Sequence, residues 1–226
     1  MSQSSRPENR IRTLLFDLDG TLIDSIRLIL DSYHHTVKTH GLPSRTDQEW
    51  LAGIGTPLRV VFAELAEHPE QMDQLVATYR EYNLAHHDTQ VLPYVGAPEL
   101  IRRVTGMGYR TGLVTSKNRP GAIRGLKLAG IADHFDVLVC ADDVVNPKPH
   151  PEPVLKALTQ LEARPEETLF IGDSVHDMRC GRDAGVLTGA VLWGPFGRGD
   201  LETTAPDFWL ESPSDLLSLL GAGPSA

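Results

Sequence analysis

The sequence IRTLLFDLDGT, residues 11–21, decides our interpretation of the fold. Its first part, residues 11–17, is a short apolar run that ends in a carboxylate, which predicts a buried β-strand. Asp17 and Asp19 leave this strand two residues apart, and they would repel each other strongly without a nearby positive charge. The stretch therefore predicts a strand whose carboxyl end carries a charged chemical site.

Strands and helices alternate along the second half of the chain. Further strands are predicted at residues 109–115, 135–140, 168–172 and 190–193, and stretches with helical periodicity lie between them. This alternation predicts an α/β fold with a Rossmann-like, doubly wound, mostly parallel sheet that has helices on both faces. In such sheets ligands bind at the carboxyl ends of the strands.

A helical segment interrupts the alternation directly after the first strand. Thr46 with Glu49 forms a capping box, and Thr56 followed by Pro57 predicts a second helix start. We therefore expect a Rossmann-like catalytic core at 11–23 and 91–220, a helical cap at 24–90, and disordered tails at 1–10 and 221–226.

A second pair of acids follows the strand at residues 168–172. Asp173 and Asp177, together with Asp17 and Asp19, would place four carboxylates at one edge of the sheet. Such a cluster favours a hard cation with oxygen ligands, and Mg²⁺ is the expected ion. Either pair alone is compatible with acids in a turn or at a helix N-cap, but two pairs that each close an apolar strand indicate a metal site.

Two other strand ends supply hydroxyl groups and a lysine. Thr115 and Ser116 come after a strand and before a helix, where backbone N–H groups suit an anion. Lys148 lies between Pro147 and Pro149, and because proline fixes φ, the loop that carries this lysine is stiff. A lysine in such a loop is usually solvated, so Lys148 indicates a site only together with the other strand ends.

These motifs, in this order, resemble those of the haloacid dehalogenase (HAD) superfamily. DLDGT at residues 17–21 is similar to its first motif, Thr115 to its second, Lys148 to its third, and GDSVHD at residues 172–177 to its fourth. The helices after the first motif resemble the cap of the phosphoglycolate-phosphatase-like and β-phosphoglucomutase-like branch. The resemblance covers nearly the whole chain, residues 12–220.

The resemblance implies a role for each motif residue. Asp17 would attack phosphorus and form a phosphoryl-aspartate, and Asp19 would protonate the leaving group and then activate water. Thr115 and the N–H of Ser116 would bind phosphoryl oxygens, while Lys148 would neutralise charge on the phosphoryl group and on Asp17. The implied Mg²⁺ ligands are Asp17, the Asp19 carbonyl, Asp173, and Asp177 directly or through water.

The cap is expected to select the substrate. Gly53 and Gly55 allow the backbone to come close to a ligand, and the helix that follows them favours anions at its N-terminus. We expect Arg59 to bind a carboxylate or a second phosphate of the substrate, and a solvated surface arginine is the competing interpretation.

The sequence thus predicts a Mg²⁺-dependent phosphatase for a small phosphate monoester, with phosphoglycolate as the first substrate to test. A β-phosphoglucomutase-like sugar-phosphate mutase would use the same catalytic groups and is the main alternative. An inorganic pyrophosphatase of the same branch is another alternative.

Other classes of protein fit the residues less well. A dehalogenase would lack Asp19, and a phosphonate hydrolase would need a cap lysine where only Lys38 occurs. A phospho-receiver module would lack the helical insertion, and a silent binding protein would be expected to lose catalytic residues.

The composition argues against other classes of protein. The 226 residues carry a net charge of −9, which disfavours binding to nucleic acid or to an anionic membrane surface. No apolar run approaches the roughly 20 residues of a membrane span. Cys140 and Cys180 are far apart and are expected to be free thiols in a cytoplasmic protein. We expect a small phosphorylated metabolite as partner, with no nucleic acid and no membrane, and a monomer or dimer.

Overall fold

A computed structural model describes residues 10–221 of the protein. The predicted disordered tails, 1–10 and 221–226, lie outside these residues except for Arg10 and Gly221. The main sheet has six strands, all parallel. In spatial order they are β5 (Val137–Val139), β4 (Arg110–Val114), β1 (Thr13–Phe16), β6 (Thr168–Gly172), β7 (Leu187–Val191) and β8 (Phe208–Leu210). The predicted α/β sheet is therefore confirmed.

Strand β1 lies in the middle of the sheet, between β4 and β6. All four of its residues are buried. Leu14 and Phe16 belong to the hydrophobic cluster on one face of the sheet, and Leu15 belongs to the cluster on the other face. Burial on both faces is what a strand at the centre of a parallel sheet requires, and it explains the unbroken apolar run in the sequence.

Helices cover both faces of this sheet. The cluster that contains Leu14 is built with α5 (Ala97–Gly106), α6 (Arg119–Leu128) and α10 (Pro213–Leu220). The cluster that contains Leu15 is built with α7 (Glu152–Leu161) and α8 (Val175–Asp183). A short helix, α9 (Arg198–Leu201), packs Leu201 against residues of α8 and β7. The sheet is thus doubly wound, as predicted.

The inserted segment forms a helical cap with its own hydrophobic cluster. Its helices are α1 (Ile26–Thr39), α2 (Asp47–Leu51), α3 (Leu58–Val61) and α4 (Pro69–Gln90). Tyr33 stacks on Trp50 with ring centroids 4.7 Å apart, and Phe62 and Tyr79 complete this aromatic group. Within residues 10–221, no helix is long and apolar enough to cross a membrane.

A two-stranded antiparallel ribbon joins the cap to the sheet. Strand β2 (Ile23–Asp24) leads into the cap and β3 (Leu92–Pro93) leads back, with Ile23 paired to Pro93 and Asp24 to Leu92. This ribbon was not predicted, because strands of two residues carry no detectable periodicity. The ribbon holds the two chain crossings side by side, close to the end of β1.

Several predicted boundaries differ from the structure. Strands β1, β4 and β5 are shorter than the apolar runs that predicted them, and β7 begins at Leu187 rather than at residue 190. The capping box of Thr46 and Glu49 is confirmed. The expected N-cap at Thr56 is wrong, because Pro57 occupies the N-cap of α3 and the Thr56 hydroxyl donates to the carbonyl oxygen of Gly53. The C-terminal elements β8, α9 and α10 were not predicted.

Candidate active site

The motif residues lie at the carboxyl edge of the main sheet. Asp17 follows β1, Thr115 follows β4 and Asp173 follows β6, and these three strands are neighbours. The backbone N–H of Asp17 donates to the carbonyl oxygen of Ile171 at 2.9 Å, and that of Thr115 donates to Val139 at 2.9 Å. The residues after β1 and β4 are therefore still held by the sheet ladder, which restricts the direction of their side chains.

Lys148 is the buried cation of this edge. Its Nζ atom donates to Oδ1 of Asp17 at 2.8 Å, to Oδ1 of Asp177 at 2.6 Å and to the carbonyl oxygen of Val114 at 3.4 Å. All of its polar contacts come from buried groups. A buried charge needs such partners, because removal from water costs several kcal/mol, on the order of the gain from a well-placed pair.

Three carboxylates form a buried acidic triad: ligand oxygens of Asp17, Asp173 and Asp177 all lie within 4.8 Å of one another. Oδ1 of Asp173 accepts a hydrogen bond from the Thr21 hydroxyl at 2.9 Å, whereas its Oδ2 is buried without a hydrogen-bond partner among the described residues. Oδ2 of Asp177 accepts from the backbone N–H of Ser174 at 3.0 Å and from its hydroxyl at 2.6 Å. Within the described residues, Oδ2 of Asp173 is thus a fully buried carboxylate oxygen of the triad that no protein group binds.

The charges of the triad are not balanced by Lys148 alone. Burial raises the pKa of Asp17 to about 7, against the lowering effect of Lys148. Burial, followed by the charges of Asp177 and Asp17, raises the pKa of Asp173 well above its ordinary value. Raised pKa values mean that the carboxylate forms are disfavoured here, so a further cation would stabilise the ionised triad.

The Asp19 carboxylate has partners that differ from those of the triad. The Nζ atom of Lys117 lies 2.9 and 3.2 Å from its two carboxylate oxygens, and the hydroxyl of Ser25 donates to Oδ1 at 2.5 Å. The stem of Lys117 passes over Gly121, where a Cβ atom would lie 3.2 Å from Cε of the lysine. The two aspartates of the first motif therefore have different partners and can perform different tasks.

A cavity of about 300 Å³ lies between the cap and the sheet edge. Of the four motif acids, Asp17 and Asp19 line it, while Asp173 and Asp177 lie beneath the surface. The core side of the wall includes Thr115, Ser116 and Lys117, and the cap side includes Tyr33, Ile54, Gly55, Tyr79, Asn83 and His87. A ligand in this cavity would therefore touch both the motif residues and the cap.

The cap loop touches the motif residues directly at Gly55. The hydroxyl of Ser116 donates to the Gly55 carbonyl oxygen at 2.5 Å. Gly55 has φ of +93°, and a Cβ atom there would lie 3.2 Å from Oγ of Ser174 and 3.3 Å from the ring of His176. The position thus requires glycine for both its conformation and its close contact. Gly53, the other predicted glycine, does not line the cavity and faces Val61 within the cap.

Arg59 lies at the cavity wall but is not held in it. Its side chain is 62% exposed, and its guanidinium pairs with Asp73 of α4. Exposed ion pairs of this kind contribute at most about 1 kcal/mol. The side chain is therefore free to exchange Asp73 for an anionic group of a ligand.

Four polar residues that bind the motif acids were not predicted from the sequence: Thr21, Ser25, Lys117 and Ser174. Ser174 could have been found, because Ser174 and Asp177 follow the S-x-x-D spacing of a capping box. Thr21 and Lys117 lie inside or directly after the quoted motifs, and their partners depend on the packing of separate strands.

The family model described as haloacid dehalogenase-like hydrolase matches residues 14–191. A curated protein named pyrophosphatase PpaX, from Anoxybacillus flavithermus, is 44% identical over 211 residues, which cover 93% of this chain and 97% of the relative. A pyrophosphatase PpaX from Bacillus cereus is 43% identical with the same coverage.

Solved structures give the same picture of the fold. A haloacid dehalogenase-like family hydrolase from Streptococcus pneumoniae superposes with a TM-score of 0.81 at 28% identity, over 94% of this chain and 99% of that one. A candidate phosphoglycolate phosphatase from Lactobacillus plantarum has a TM-score of 0.81 at 27% identity, over 92% of this chain and 99% of its own. These matches agree with the resemblance drawn from the motifs.

Proposed function

The chain belongs to the haloacid dehalogenase-like hydrolase family, and we propose that it is a Mg²⁺-dependent phosphatase that passes a phosphoryl group from a small substrate to Asp17 and then to water. This membership confirms the prediction from the motifs that the chain is a HAD-like hydrolase. One observation carries the proposal furthest: Asp17 lies in the cavity wall and is paired underneath with the buried Lys148.

Asp17 is the proposed nucleophile because of its access and its partner. Among the acidic triad, Asp17 is the member that lines the cavity. Its Oδ1 is bound by Lys148, which leaves Oδ2 available to attack phosphorus. Bond formation between Oδ2 and phosphorus, with departure of the leaving oxygen, gives an aspartyl phosphate and divides one displacement into two easier ones.

The triad fits a Mg²⁺ ion. The buried Oδ2 of Asp173 has no hydrogen-bond partner in the described part of the chain, and carboxylate oxygens are the ligands that this cation prefers. Asp17, Asp173 and the Asp19 carbonyl would hold the ion, with Asp177 as a further ligand or as its support. When bound, Mg²⁺ supplies positive charge that allows an anionic nucleophile to approach an anionic phosphate.

Asp19 is the proposed proton carrier. Its carboxylate faces the cavity and is bound by Ser25 and Lys117, which keeps it apart from the triad. In the first step a proton on this carboxyl group would pass to the leaving oxygen. In the second step the carboxylate would take a proton from the water that attacks the aspartyl phosphate.

Thr115 and Ser116 are proposed to bind the phosphoryl oxygens, while Lys148, which is buried and does not line the cavity, is proposed to neutralise the charge of Asp17 from beneath. The Thr115 oxygen accepts a hydrogen bond from the backbone N–H of Lys117 at 3.1 Å, so its own hydrogen remains free to donate into the cavity. The Ser116 hydroxyl is taken by Gly55, which leaves the Ser116 backbone N–H for a phosphoryl oxygen. Donors fixed in advance in this way stabilise charge that develops in the transition state.

Inorganic pyrophosphate is the first substrate to test, because relatives at 44% and 43% identity carry the name pyrophosphatase. A phosphoglycolate-like monoester is the second, since Arg59 at the cavity wall could bind a carboxylate as well as a phosphate. We further propose a cytoplasmic location, which suits the two free, buried thiols of Cys140 and Cys180. We also propose that the protein acts as a monomer or dimer and binds neither nucleic acid nor a membrane.

The test is phosphate release from pyrophosphate, phosphoglycolate, a nucleoside monophosphate and a hexose phosphate, with Mg²⁺ and with a chelator. The proposal expects Mg²⁺-dependent release from at least one of the two first substrates. Interconversion of hexose phosphates without release of phosphate would instead favour a sugar-phosphate mutase. A folded protein that releases phosphate from none of them would contradict the proposal.

A further inference from the structure

We propose that Trp193 and Gly194, in the loop after β7, are positioning residues that set the orientation of the metal-binding carboxylate of Asp173. The inference rests on the proposed function only in so far as Asp173 holds Mg²⁺. Neither residue belongs to the four motifs, and neither lines the cavity.

Gly194 packs against one backbone group and one side chain of the site. A Cβ atom at this position would lie 2.5 Å from the carbonyl oxygen of Gly20 and 2.8 Å from Cβ of Asp173. Its φ is not in the left-handed region, so the backbone conformation by itself does not call for glycine. The close contact with Gly20 does require glycine, because a backbone oxygen cannot move aside as the end of a flexible side chain can.

Trp193 is linked to Asp173 through Thr21. The indole Nε1 donates to the carbonyl oxygen of Thr21 at 2.9 Å. The hydroxyl of the same threonine donates to Oδ1 of Asp173 at 2.9 Å. A chain of two hydrogen bonds therefore runs from the loop after β7 to one oxygen of the carboxylate.

Packing, and no hydrogen bond from a described residue, fixes the position of the other carboxylate oxygen of Asp173. Oδ2 of Asp173 contacts the position that a Cβ of Gly20 would occupy, and it is buried without a hydrogen-bond partner in residues 10–221. The carboxylate thus packs closely against both Gly20 and Gly194, with Oδ1 hydrogen-bonded and Oδ2 without a hydrogen-bond partner among the described residues. Groups that orient a metal ligand in this way are often as important for affinity as the ligand itself, since their loss typically weakens binding by about 10- to 100-fold.

A purely structural role of Trp193 and Gly194 predicts that their substitution lowers stability and leaves Mg²⁺ affinity unchanged. Trp193 also packs against the hydrophobic cluster on the Leu14 face, so its ring contributes to stability. Trp193→Phe retains a large aromatic ring and removes the Nε1 donor. Gly194→Ala adds one methyl group at the contact. Gly199→Ala is the matched control, because a Cβ atom at Gly199 would meet nothing within 4 Å.

The experiment is calorimetric titration of the metal-free variants with Mg²⁺, together with their melting temperatures in chelator. We expect Gly194→Ala to weaken Mg²⁺ binding by roughly tenfold or more, Trp193→Phe by a smaller factor, and Gly199→Ala not at all. A change confined to the melting temperature in chelator, with Mg²⁺ affinity equal to wild type in both test variants, would overturn the inference. If Gly194→Ala does not fold, Trp193→Phe decides the matter by itself.

The same titration separates this inference from the proposed function. A wild-type protein that binds Mg²⁺ and releases phosphate, with test variants that bind equally well, leaves the function standing and overturns the positioning role. A wild-type protein that binds no Mg²⁺ overturns both.

Discussion

The Nζ atom of Lys148 lies 2.8 Å from Oδ1 of Asp17, and the two side chains are 1% and 7% exposed. This pair joins the end of β1 to a loop 131 residues further along the chain. Because the same ammonium also binds Asp177 at 2.6 Å, one cation holds two of the three buried carboxylates in place. The positions of both carboxylates therefore depend on this buried lysine.

Lys148→Met should destabilise the metal-free protein and abolish turnover. The substitution keeps most of the side-chain volume but leaves two buried carboxylates without their cation, a loss of about 3–5 kcal/mol in the free energy of unfolding. Saturating Mg²⁺ should restore part of the stability but not the activity. Urea unfolding in chelator and in Mg²⁺ measures both, with the exposed Lys127→Met as control. Equal stability of Lys148→Met and wild type in chelator would contradict the assigned charge balance.

The metal-free protein should lose stability as the pH rises towards neutrality. The ordinary pKa of an Asp is 3.8, and burial raises that of Asp17 to about 7, so between these values the folded protein binds a proton that the unfolded chain releases. Stability from this source is complete below the lower value and is lost as the pH passes the upper one. The free energy of unfolding of wild type minus that of Asp17→Asn, both measured in chelator, gives the contribution of Asp17 alone, because the histidines titrate equally in both proteins. A difference that does not vary between about pH 5 and about pH 8 would contradict the raised pKa.

Ser116→Ala should weaken substrate binding more than it slows chemistry. The hydroxyl donates to the Gly55 carbonyl of the cap loop, and such a bond contributes about 1 kcal/mol, or roughly fivefold in affinity. The backbone N–H proposed to bind phosphate is retained. We therefore expect KM to rise by roughly fivefold with a smaller change in kcat, and the exposed Ser218→Ala to match wild type. An unchanged KM would show that this contact does not help to hold the cap over the substrate.

Arg59→Ala should change which substrate is preferred. Because the guanidinium is exposed and its one ion-pair partner among residues 10–221 is Asp73, it can turn to a second anionic group of the substrate. We expect the ratio of kcat/KM for phosphoglycolate and pyrophosphate to change by roughly tenfold, with no loss of fold. Arg102→Ala, which removes an exposed arginine from α5, is the control. An unchanged ratio would leave Arg59 as a surface residue.

The sheet and the motif residues were predictable because they depend on local signals. An apolar run such as residues 13–16 predicts a central strand, and its carboxyl end predicts where Asp17 lies. Because the carboxyl ends of parallel strands meet at one edge of the sheet, Thr115 and Asp173 could be expected near Asp17, whereas the order β4-β1-β6 is known from the structure alone.

Other features were not predictable from the sequence because they arise only when separate segments pack together. The ion pair of Lys117 with Asp19 joins residues 98 positions apart, and nothing near either residue indicates it. The ribbon of β2 and β3 consists of two-residue strands, which have no periodicity. The close approach of Gly194 to Asp173 depends on how the loop after β7 packs against Gly20 and Asp173.

The most direct test of the central claim is to look for a phosphoryl group on Asp17 itself. Wild-type protein, mixed with Mg²⁺ and its best substrate and quenched rapidly in acid, should gain the mass of one phosphoryl group, and peptide mapping should place it on Asp17. Asp142→Asn, which alters another acid of the same cavity wall, should retain the adduct. Asp17→Asn should lose it, and its turnover should fall by about three orders of magnitude or more. Turnover by Asp17→Asn at a rate near wild type, or an adduct on a different residue, would contradict the account.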